Sequence, residues 1–151
     1  MQIFVDADAF PGVIGELLFR AVERVRVPLV MVSNQYRKVP QSGYISSITV
    51  SAGIDVADDH IVEMVQPGDL VITADIPLAD RVVGKGGYAL DPRGELYTEK
   101  NIKQKLAMRN LMDVLRNGGM ITGGPSSFGK KDIQAFANQL DRFLTRHGKN
   151  L

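Results

Sequence analysis

Apolar residues fall along this chain in two alternating rhythms. Unbroken runs such as "IFV" at 3–5, "LVMV" at 29–32 and "LVI" at 70–72 have the length and branching of strands covered on both faces. Between the first two runs, Val13, Ile14, Leu17, Leu18, Ala21, Val22 and Val25 recur at helical spacing. They predict a helix with Pro11 in its first turn, a position that tolerates proline. "YISSITV" and "GGYAL" add a third and a fifth strand. "GIDVADDHIVEMV" reads as a turn feeding a short helix, and Pro77 opens another. "LDPRGELYT" has the turn chemistry of a small hairpin or flap. Two longer helices follow. One begins after Thr98 and runs through Ile102, Leu106, Met112 and Leu115. The other carries Ile133, Phe136, Ala137, Leu140, Phe143 and Leu144. Strands alternating with helices predict an α/β fold whose central sheet, of about five strands, is mostly parallel, because parallel neighbours need crossovers. With no repeat and no linker in view, residues 1–151 are expected to form a single domain.

Composition narrows the function classes. The chain is 44% hydrophobic and 23% charged, which suits a folded core rather than disorder. Its formal net charge is +1, so a polyanion would have to be held by local clusters of cations rather than by a bulk field. Cysteine is absent, which excludes disulfides, thiolate metal sites and cysteine nucleophiles. A strand begins at once without a basic leader, and no apolar run approaches the roughly 20 residues that cross a bilayer. The expectation is a soluble, cytoplasmic protein with no membrane partner.

The acids carry the chemistry. In open α/β sheets ligands gather at the carboxyl ends of strands, near a reversal of strand order. Asp6 and Asp8 follow the first strand, and Asp55, Asp58 and Asp59 follow the third. Asp75 follows the fourth with Asp80 behind it, and Asp91 follows the fifth. Crowded carboxylates repel and resist desolvation, so such a cluster asks for a cation or a shared proton. An all-oxygen donor set suits Mg²⁺ or Mn²⁺. Asp8, Asp58 and Asp75 each precede a helical segment, so capping competes with ligation for every one of them. Taken jointly, Asp6, Asp8 and Asp75 are the candidate metal ligands, whereas Asp59, Asp69 and Asp91 are assigned structural roles. His60 and His147 read as solvated surface, and Gly123, Gly124 and Pro125 as a plain inter-helix turn. Ser33 has no histidine partner for a hydrolase triad.

"VDADAFP", "GIDVADDHIV", "GDLVITADIPLA", "DPRGELYT" and "TGGP", in that order, resemble the signature blocks of the bacterial YaiI/YqxD family of uncharacterised proteins. The resemblance covers nearly the whole chain. It implies a three-layer PIN-like (Rossmann-like) domain, related to the PIN and NYN nucleases. Active members of that superfamily use carboxylates at strand ends to bind Mg²⁺ or Mn²⁺ and cut RNA or DNA. By motif, Asp6 resembles the first-strand acid, Asp75 the acid after the fourth strand, Asp80 its companion in the next helix, and Asp58 the mid-domain acid. Asp8 is an extra carboxylate of the YaiI/YqxD pattern.

The candidate catalytic set is therefore Asp6, Asp8, Asp58, Asp75 and Asp80. Arg37, Lys38 and Arg93, on loops after the second and fifth strands, are the expected rim for a nucleic acid, with Lys130 and Lys131 as an extension. Two other readings compete with a nuclease. In a haloacid-dehalogenase-like phosphatase, "DAD" would supply the nucleophile and acid/base pair and Ser33 a later motif, though the expected lysine is missing. In a noncatalytic binding module the acidic pocket would survive without the reaction.

Overall fold

A computed structural model of the protein describes residues 1–8, 10–122 and 127–148. Gly123, Gly124 and Pro125 lie outside the described residues. The strands are β1 (Ile3–Asp6), β2 (Leu29–Ser33), β3 (Ile45–Thr49), β4 (Leu70–Ile72), β5 (Tyr88–Leu90) and β6 (Leu96–Tyr97). The helices are α1 (Gly12–Val25), α2 (Val56–Met64), α3 (Ile76–Gly84), α4 (Ile102–Asn117) and α5 (Lys130–His147). One six-stranded sheet has the order β3-β2-β1-β4-β5-β6. All neighbours are parallel except β5 and β6, which close the expected hairpin antiparallel.

Alternation along β1 creates two cores. Ile3 and Val5 face a cluster with Ile14, Leu18 and Val22 of α1 and Phe136, Leu140, Phe143 and Leu144 of α5. Phe4 faces the other way, joining Val32 and Val71 against Ile61 of α2 and Leu78 and Val82 of α3. The sheet is thus the middle of three layers, an α/β arrangement of Rossmann-like type. Burial on both faces explains why β1, β2 and β4 read as continuous apolar runs. α4 differs: Ile102 is its buried residue, while Met108, Leu111 and Val114 are exposed. No described helix is long and apolar enough to cross a membrane.

Three local expectations are revised. Pro11 sits at the N-cap of α1 rather than inside the first turn. The sheet has six strands because the 91–97 hairpin contributes a two-residue strand of its own. His147 is packed rather than solvated: its ring lies 4.4 Å from Phe143 and 4.9 Å from Tyr88, and burial pushes its pKa down.

The 91–97 hairpin is pinned to α5. Arg93 pairs with Asp132 at 3.1 Å. Gly94 has φ +95°, and a Cβ there would stand 2.6 Å from the backbone carbon of Ala135. Strain and clash coincide, so Gly94→Ala is expected to cost on the order of 2–4 kcal/mol in a urea melt. A loss below about 0.5 kcal/mol would show that the hairpin does not need this close approach.

Candidate functional site

Strand order reverses between β1 and its two neighbours: β2 and β3 build outward on one side, β4 and β5 on the other. The crevice at this switch lies beyond the carboxyl ends of β1 and β4. Asp6 is the last residue of β1, and Thr73 directly follows β4.

Thr73 connects the two strand ends. Its buried hydroxyl donates to Asp6 Oδ2 at 3.0 Å and accepts the backbone N–H of Asp75 at 3.0 Å. Asp75 is the N-cap of α3, where its Oδ1 accepts the Leu78 N–H at 3.1 Å. The capping reading of Asp75 therefore holds, and it leaves the residue at the site. Capping fails for the other two candidates. The N-caps of α1 and α2 are Pro11 and Asp55, neither of which makes a side-chain capping bond. Asp8 instead reaches across to β2, its two oxygens accepting the Asn34 N–H at 2.9 and 3.0 Å.

Electrostatics shows which acids feel one another. Burial pushes the Asp6 carboxyl up from 3.8; the Thr73 hydrogen bond opposes this, and the charges of Asp75 and Asp8 add to it. Asp58 is pushed up to about 7, first by burial, then by the charges of Asp75, Asp6 and Asp55 and a hydrogen bond shared with Asp75. Desolvation thus outweighs the like-charge repulsion expected from crowding alone. Asp6, Asp58 and Asp75 form the electrostatic centre, with Asp8 and Asp55 at its edge. Asp80 faces away from this centre in its bonding, pairing with Lys103 of α4 at 2.8 Å.

The donor set fits a hard divalent cation in chemistry: Asp6 at the end of β1, Asp75 after β4 and Asp58 in the first turn of α2 are all oxygen donors, with mutual repulsion that a cation would relieve. In their present rotamers no three acidic or histidine side chains among the described residues converge tightly enough to hold a metal ion.

The basic candidates divide. The half-buried Arg37 leans over the site loop, its Nη2 3.5 Å from the Asp8 carbonyl, and its Nε is buried without a hydrogen-bond partner. Lys38 beside it is exposed. Arg93 is engaged by Asp132 and lies 5.7 Å from the Phe128 ring centroid. Lys130 and Lys131 are exposed at the start of α5.

The structural assignments mostly hold as well. Asp69 ties two segments by accepting the N–H groups of Gln2 and Gln66. Asp59 pairs with Arg81 at 2.8 Å. Asp91 accepts the Arg93 N–H in the hairpin, and burial pushes its carboxyl up. Thr73 is the site residue that carboxylate counting missed. Its signal was present in "VITAD", where a polar residue ends an apolar run just ahead of the acid.

Residues 4–146 match the family model described as an uncharacterized BCR of the YaiI/YqxD family. The chain belongs to the YaiI/YqxD family. Similar proteins of this family include the UPF0178 protein of Alkalilimnicola ehrlichii, 61% identical over 145 residues, which are 96% of this chain and 98% of that one. The UPF0178 protein of Hahella chejuensis is 57% identical over 150 residues, 99% of this chain and 100% of that one. No solved structure matches the chain significantly. The YaiI/YqxD family is itself uncharacterised.

Proposed function

We propose that this YaiI/YqxD protein is a PIN-like nuclease that cuts RNA or structured nucleic acid with the help of Mg²⁺ or Mn²⁺. The observation that carries the reading is the Asp6–Thr73–Asp75 linkage across the switch point, with Asp58 beside it, its carboxyl pushed up by burial and by the charges of Asp75 and Asp6. Asp6, Asp75 and Asp58 would hold the cation, and a bound cation would supply the charge that activates water and stabilises displacement at phosphorus. Thr73 keeps Asp6 oriented, and the α3 cap keeps Asp75 oriented, so both carboxylates are set by neighbours rather than by loop chance. Asp8 orders the Asn34 backbone at the rim. Asp80 is committed to Lys103 and is assigned to the α3–α4 contact in this reading.

The test is Mn²⁺-dependent cleavage of a labelled RNA. Activity is expected in the wild type, with a loss of at least about a hundredfold in Asp6→Asn, the scale of removing one group that stabilises transition-state charge. Binding of RNA in Ca²⁺ without cleavage in any divalent cation would make the protein a noncatalytic module. The phosphatase alternative draws no support from Ser33, which is 1% exposed and donates its hydroxyl to the Gln35 carbonyl.

For the rim, Arg37 and Lys38 are the better-placed pair, since a phosphate would have to compete with Asp132 for Arg93. The double variant Arg37→Ala/Lys38→Ala is expected to weaken RNA binding alike for all sequences. It should also flatten the salt dependence by about 0.7 log units per log unit of salt for each phosphate that the variant no longer neutralises. An unchanged salt slope would remove both residues from the interface.

A further inference from the structure

A cavity of about 140 Å³ lies beside the acids and is lined by Pro11, Ala74, Asp91, Pro92, Arg93 and Phe128. Its position is set by the sheet. Pro11 begins the helix after β1, Ala74 follows β4, and Asp91 follows β5, so the cavity spans the carboxyl ends of three adjacent strands. Ala74 stands between Thr73 and Asp75, so the cavity and the acid site share one wall.

The cavity is rigidly made. Asp91 Oδ1 accepts the Arg93 N–H at 2.6 Å, and the Gly94 N–H bonds the Asp91 carbonyl at 2.8 Å. The Arg93–Asp132 pair and the tight seat of Gly94 on Ala135 hold the hairpin to α5. Arg93 lies over the Phe128 ring. Drug-sized ligands occupy cavities of roughly 300–1,000 Å³, so this space suits one ring system rather than a whole nucleotide.

Its walls combine apolar surface, an aromatic ring, a guanidinium plane and one carboxylate. These are the elements that recognise an unstacked nucleobase: stacking on aromatic and Arg planes, and hydrogen bonds to the base edge. An ionised carboxylate only accepts, and guanine is the base whose pairing edge offers two adjacent donors, N1–H and N2–H₂. We propose that this cavity is a base-recognition subsite that receives an unpaired guanine through Asp91, with Phe128 as the stacking surface. The proposal rests on the nuclease reading for its polymeric substrate, although a free guanine nucleotide presents the same chemistry.

The test compares wild type, Asp91→Asn and Phe128→Ala. Asparagine keeps an acceptor for the Arg93 N–H, and Phe128→Ala leaves the hairpin bonds untouched. Binding is measured for GMP, AMP, CMP and UMP by saturation-transfer NMR, and for guanine- and uracil-containing single-stranded oligonucleotides by anisotropy in Ca²⁺. Guanine is expected to bind about tenfold or more better than uracil, as one good bidentate base contact allows. Asp91→Asn should abolish the preference, and Phe128→Ala should weaken every base that binds. Guanine selectivity in the mononucleotides alone would support the subsite with a free nucleotide as its source, and would count against the nuclease reading. Oligonucleotides that bind without base preference, or a preference unchanged in Asp91→Asn, would overturn the subsite and leave the nuclease reading standing. No binding by either ligand set would overturn both.

Discussion

Asp6→Asn should melt at a higher temperature than the wild type in chelator, and should lose the stabilisation that Mn²⁺ gives the wild type. Asp6 is partly buried and its carboxyl is pushed up, chiefly by that burial. A raised folded-state pKa means that the ionised form is disfavoured in the fold. The cost is absent below the unfolded value of 3.8 and complete once pH exceeds the folded value. At pH 8 the variant therefore sheds a penalty, while its amide oxygen still accepts the Thr73 hydroxyl. The gain should appear as a higher melting temperature in chelator than the wild type has at the same pH. Mn²⁺ at a hundredfold excess over its Kd should stabilise the wild type by about 2.7 kcal/mol, and Asp6→Asn much less. A variant that melts lower in chelator and keeps the full Mn²⁺ shift would give Asp6 a structural role instead.

Asp58 should dominate the pH dependence of stability. Its carboxyl rises from 3.8 to about 7, so the folded state binds an extra proton across that window. Stability from this group is fully present below about pH 4 and is lost as pH rises through about 7. Asp6 acts in the same direction. Asp58 is only partly buried, so solvent screens the effect and about 1 kcal/mol is expected between pH 5 and pH 8. Urea melts in chelator should show Asp58→Asn gaining on the wild type over that interval. A wild-type-minus-variant difference that stays constant with pH would mean that the fold does not raise the Asp58 carboxyl.

The sequence made the sheet legible because both of its faces are covered, which left β1, β2 and β4 as apolar runs with an acid or hydroxyl at the end. It also placed Asp6 and Asp75 at strand ends, and strand order then brought those ends side by side. What it lacked were features that depend on partners distant in the chain. Asp80 carries the same one-dimensional signal as Asp75, yet Lys103 on α4 claims it. Arg93 reads as a loop cation, but Asp132, 39 residues later, holds it. α4 has helical apolar spacing, but nothing in that spacing says that Met108, Leu111 and Val114 stay exposed. Thr73 gives no one-dimensional signal of the kind the acids give, because a single threonine gains meaning only from the carboxylate that its hydroxyl meets across the sheet.

In the nuclease proposal, Asp6, Asp58 and Asp75 together would hold a divalent cation at the β1–β4 switch. The most direct measurement is a crystal structure from protein soaked in Mn²⁺, with an anomalous difference map at the manganese edge. A peak is expected between the Asp6 and Asp75 carboxylates, with ligand oxygens at about 2.0–2.6 Å, the range for hard cations of this kind. A map with no peak there at saturating Mn²⁺, or with manganese seated away from Asp6 and Asp75, would show that these acids do not form a metal site.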